Sequence, residues 1–201
     1  MIIDREKLEE LDACKEAIKF FSSKYDQIEV VDLLRDGLRY SDEVKREYGS
    51  DIWNWCYWLI AHTLDHVSSV RFSVYAAELV LHIYEDRHPR DQRPRKAIEA
   101  AKAWIENPKA AGAAAKAAKA AGAAADATYA TYAAAYAYAA YAANAAYAAA
   151  GAAAYAYAYA AWATEAAYAA ASSANYADAA ANADPSIRDK ILEFGIELLG
   201  K

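Results

Sequence analysis

Residues 128–168 read TYATYAAAYAYAAYAANAAYAAAGAAAYAYAYAAWATEAAY, and this stretch decides the fold. Alanine loses no side-chain entropy on entering a helix, and no proline interrupts the tract between Ala110 and Ala183. The composition therefore predicts long helices. A single unbroken helix of this length would reach roughly 100 Å at about 1.5 Å per residue. The tract is expected to fold back as two or three antiparallel helices, with breaks near Gly112 or Gly122 and near Gly151. Bare polyalanine buries little, so Tyr and Trp are the large groups these helices can pack or present. On a helical wheel Tyr129, Tyr132, Tyr136 and Tyr147 share one side, with Tyr138 and Tyr141 roughly opposite. Beyond Gly151, Tyr155, Tyr159 and Trp162 share a face, and Tyr157, Thr164 and Tyr168 share the other. One face per helix is expected to pack inward. That leaves Tyr138, Tyr141, Tyr157 and Tyr168 presented outward, or their counterparts if the faces are reversed.

Outward from the tract, hydrophobic spacing places further helices. Asp4 can cap a helix running to about Tyr25, with Leu8, Leu11, Cys14, Ile18 and Phe21 as its stripe. A short helix through Val31 and Leu34 is expected to stop near Gly37, and another to end at Gly49. Ser50 or Asp51 opens DIWNWCYWLIAHTLDHV, apolar on nearly every side and so expected to be central, with a break at Ser68 and Ser69. The next helix runs to about Arg87 with Phe72, Tyr75, Leu79 and Ile83 as a stripe, and Pro89 closes it. Asp91 is read as a poor cap across Pro94, which takes a first helical position in a helix from Arg95 to Glu106. After Asp184 and Pro185 a last helix buries Ile187, Ile191, Leu192, Phe194 and Leu198. The fold class is all-α: an antiparallel helical bundle with long Ala/Tyr-rich helices and a C-terminal capping helix. The 201 residues are read as a single domain, with aromatic-rich helices over 1–108, a hairpin over 109–183 and the capping helix over 184–201.

A net charge of −6 argues against general nucleic-acid binding, which calls for a basic excess. Charges within the first residues, MIIDREKLEELDACKE, read as neither a signal peptide nor an anchor. Alanine is too weakly apolar to span a bilayer, and the aromatic content is the reverse of a disordered segment. Cys14 and Cys56 are expected to be buried, reduced thiols, which suits a cytoplasmic protein.

The segment from Tyr75 to Pro108, with the pattern LxxYExxxPxDxRPRxAIEAAxxW from Leu81 to Trp104 and the Ala-rich continuation, resembles a known family. It is similar to the alanine-rich helical immunity-protein domains found in phage genomes and bacterial toxin-immunity loci. The resemblance covers about half the chain and implies a neutralising role. It implies no particular site residue, and the tyrosine content here departs from that of relatives.

The densest chemistry lies in Arg87, His88, Arg90, Arg93, Arg95 and Lys96. Arginine forks match phosphate and carboxylate at two points, and Arg95 sits at a predicted helix N-terminus that also favours anions. The bland reading is a solvated loop paired with Glu85, Asp86 and Asp91. The aromatic surplus offers nucleobase stacking by Tyr138, Tyr141, Tyr157, Tyr168 and Trp162, against the bland reading of core filling. His62 and His66 in HTLDH have the helical spacing of zinc hydrolases, with Glu78, His82 or Glu85 as a third ligand, against a core or loop role. Glu165, nearly alone among alanines, either faces one of those arginines or points to water. No nucleophilic triad, glycine-rich phosphate loop or paired CxxC site is present, and no cofactor is expected. The leading reading is a non-catalytic binder that sequesters a small anionic nucleotide-like signal, as a phage counter-defence sponge would. Alternatives are an immunity protein that caps a toxin by protein contact, and a metal-dependent hydrolase. Exposed Ala and Tyr faces favour a homo-oligomer.

Overall fold

The computed structural model describes residues 1–107, 116, 119, 144–153, 163–180 and 186–200, and the side chains of 163–168 fall outside that set. The chain divides into two compact units, Met1–Leu59 and Ile60–Lys201. The all-α class holds, with one small addition. Strands β1 (Ile2–Asp4) and β2 (Gln27–Glu29) pair antiparallel in the first unit, with Ile3 opposite Ile28. Three-residue strands carry too little alternation to stand out from their helical surroundings.

In the first unit, Asp4 caps α1 (Arg5–Glu10) as expected, accepting the Lys7 amide at 2.8 Å. The helix does not run on to Tyr25. Asp12 takes φ 61°, its amide donates to the Glu9 carbonyl and the Ala13 amide to that of Leu8. These two bonds form a Schellman cap, usually made with glycine but open to Asp, so the sequence lacked the common stop signal. Helix α2 (Lys15–Lys24) restarts after Cys14, which is exposed rather than buried. Helix α3 (Val30–Gly37) passes through Gly37 into a 3-10 turn (Leu38–Tyr40) and α4 (Ser41–Tyr48), which Gly49 ends at φ 64°. Phe20 meets Tyr40, Tyr48 and Trp55 at 5.5–6.3 Å between ring centroids, the aromatic heart of this unit. Cys56, in α5 (Ile52–Thr63), is buried, and burial pushes its thiol up to about 12.

The second unit is built around α6 (His66–Arg87). The break before it falls at Asp65, not at Ser68 and Ser69. The Asp65 carboxylate accepts the amides of Val67 and Ser68 at 2.9 and 3.0 Å, which starts the helix earlier and keeps both serines inside it. The buried residues of α6 are Ser69, Val70, Phe72, Ser73, Val74, Ala76, Ala77, Val80, Leu81 and Tyr84; of the expected stripe Phe72 is buried, whereas Tyr75, Leu79 and Ile83 are half-buried. Helices α7 (Arg93–Glu106), α8 (Ala163–Ala180) and α9 (Ser186–Leu199) pack on α6. Ion pairs from Glu85 to Arg95 and from Glu78 to Lys102 fix α6 and α7 as antiparallel neighbours.

The Ala-rich segments pack through alanine. Residues 144–153 are helical, and Ala145, Ala146, Ala149, Ala170, Ala174 and Ala177 are fully buried. The Ser173 hydroxyl lies 2.8 Å from the Ser73 carbonyl and 3.1 Å from that of Ala145, joining three helical segments. Gly151 is itself helical, at a cost of about 1 kcal/mol relative to alanine, and the residues that follow it, 154–162, lie outside the described set, as does any break near it. Tyr147, on the face expected inward unless the two faces are reversed, is 43% exposed. Gly112 and Gly122, the other proposed breaks, lie outside the described residues. Among the described residues no helix is long and apolar enough to cross a membrane.

Gly195 is required by packing: a Cβ there would meet Ile60 Cδ1 at 2.7 Å, Ile60 Cγ2 at 2.9 Å and Phe72 Cε2 at 3.1 Å. At Gly37, helical and with nothing within 4 Å, a Cβ meets open space. Gly37→Ala is expected to stabilise by about 0.4–1 kcal/mol. In Gly195→Ala overpacking of about 1–3 kcal/mol outweighs the helical gain of about 1 kcal/mol. Urea denaturation of both variants checks the opposite signs, and equal stabilisation would contradict the close contact at Gly195.

Candidate functional site

The arginine segment forms the corner between α6 and α7. Its centre is Tyr84, whose ring is buried against His88 at 4.8 Å and whose hydroxyl donates to Asp91 Oδ2 at 2.7 Å. Asp91 also accepts the Arg93 amide at 3.0 Å and the Arg93 guanidinium through Nε and Nη2. Asp91 is not the N-cap of α7, which is Gln92 without a side-chain bond; from one residue further out its carboxylate holds the amide of Arg93, the first residue of the helix, while Pro94, buried, needs no hydrogen-bond acceptor. The Arg93 guanidinium, with help from the Tyr84 hydroxyl, holds the Asp91 carboxyl well below the usual carboxylate range despite partial burial.

Arg95 is engaged differently. Its Nε and Nη2 bind Glu85 Oε1 and Oε2 at 2.6 and 2.5 Å, a two-point pair on the surface. In both arginines the Nη1 amino group takes no part in these contacts, and both side chains are more than two-fifths exposed. Arg87, Arg90 and Lys96 are exposed beside them. Between Tyr84 and Lys96 the sequence carries five Lys and Arg against three Asp and Glu. The corner is locally positive in a chain of net charge −6.

Of the candidate aromatic residues, Tyr138, Tyr141, Tyr157 and Trp162 lie outside the described residues, and Tyr168 lies in α8 with its side chain outside them. The side chain of Glu165 is likewise outside. Asp178, another rare polar residue of the tract, is buried and pairs with Arg188 of α9 at 2.5 Å.

His62 and His66 do not share a helical face. His62 is in α5 and His66 opens α6, with the Asp65 cap between them. Glu78 and Glu85, proposed as a third ligand, are paired with Lys102 and Arg95. Among the described residues no three His, Cys, Asp or Glu are grouped to hold a metal ion. In the first unit an open groove of about 780 Å³ runs along α1 and α2, lined by Arg5, Glu9, Asp12, Lys15, Lys19 and Ser22 among others. Its charges are of both signs.

The sequence pattern from Leu81 to Trp104 coincides with this corner and with the buried residues Ala97, Ile98, Ala101 and Trp104 of α7. A family model described as Imm-5 like putative immunity protein matches residues 59–191. The chain belongs to that family. Neither a curated protein nor a solved structure matches it. The family match begins where the second compact unit begins, so the corner and the α6 core belong to the family portion and most of the first unit does not.

Tyr84 and Asp91 were legible in the sequence as pattern positions but not as partners. The usable signal was a Tyr and an Asp flanking a proline-bearing loop, with the Asp just ahead of a Pro-started helix. Asp91→Ala is expected to destabilise by about 1–3 kcal/mol near neutral pH, the scale of hydrogen bonds to a charged group. The folded carboxyl titrates below its unfolded value of about 3.9, so this stability is fully present above that value and is lost as pH falls through the folded value. Denaturation of wild type and variant across acidic pH should show the gap narrowing below about pH 4. A gap unchanged down to the lowest pH would show that the ionised form contributes nothing.

Proposed function

We propose that this immunity-family chain is a non-catalytic neutralising binder, and that the α6–α7 corner takes a small anionic, nucleotide-like molecule by sequestration. The observation that carries this reading is the locally positive corner, where Asp91 and Glu85 engage two arginine forks through Nε and Nη2 and not through Nη1. Arginines fixed by carboxylates lose less freedom on binding than free ones, and planar forks suit phosphate oxygens. Tyrosines of the Ala-rich tract would supply the stacking surface for a base.

A second reading is favoured by the family itself: inhibition of a protein toxin by direct contact, with the negative net charge facing a basic partner. The two differ in what they need. Sequestration needs the arginine corner, and toxin contact does not. In either case we place the protein in the cytoplasm and expect a homo-oligomer, to which exposed Tyr147 would contribute.

Denaturing the purified protein and analysing the released small molecules, with calorimetry against nucleotides, tests the leading reading. A bound or binding nucleotide-like anion is expected, with affinity reduced about tenfold or more in the Arg90→Ala/Arg95→Ala double variant. No released molecule and no heat from any nucleotide, alongside stoichiometric co-purification with a toxin that the double variant retains, would replace it with the second reading.

A further inference from the structure

We draw no further inference here: the strongest candidate, the open groove along α1 and α2 in the first unit, lined by Arg5, Lys15 and Lys19 as well as Glu9 and Asp12, carries charges of both signs at the N-terminus of α2, and nothing in the structure shows what covers it.

Discussion

The second unit depends on how closely α6 can be approached. Its buried residues include Ser69, Ser73, Ala76 and Ala77 among larger ones such as Val70, Phe72, Val80 and Leu81, and small side chains of this kind let helices made of alanine approach closely. Alanine buries little area per residue, so the gain comes from many close contacts. Ser173 marks the register of that contact, because its hydroxyl meets backbone carbonyls on two other helical segments without needing a side-chain partner. Gly195 does the same for α9, where even a methyl group would press on Ile60 and Phe72.

The α6–α7 corner holds its arginines in two unequal ion pairs. Asp91 ties Tyr84, deep in the core, to the first residue of α7, so the corner's shape and the stability of the helical pair are coupled. Glu85 and Arg95 sit further out and add little to stability. A corner built this way keeps its arginines oriented without consuming all their donors.

Much of the architecture was legible because alanine content, proline positions and apolar spacing all pointed to helices. The ends of α6 at His88 and of α7 at Asn107 followed from Pro89 and Pro108. In α9 Ile187, Ile191, Leu192 and Leu198 are buried as the period implied, while Phe194 is half-buried and Ile196 is buried in addition. What failed shares a physical cause. The stop at Asp12, the start at Asp65 and the hold on α7 by Asp91 all rest on aspartates acting through local backbone hydrogen bonds, which compete with helix continuation and leave no hydrophobic trace. Misplacing the Asp65 start also put His62 and His66 on one helix, which created the metal reading. The tyrosine wheel left open which face packs inward, and the exposure of Tyr147 beside buried alanines in 144–153 fits the reversed choice at that position. The arginines were found by residue type. Their unequal partners, Asp91 and Glu85, required three-dimensional contacts to tell apart.

The central claim is that an anion binds at the α6–α7 corner. Its most direct test is a heteronuclear NMR titration of the full chain with adenosine 5′-monophosphate. Saturable shifts of the amide and guanidinium signals of Arg93 and Arg95, with the first unit's α1–α4 signals unmoved, are the expected result. Unmoved arginine signals, or shifts confined to the charged groove along α1 and α2, would contradict it.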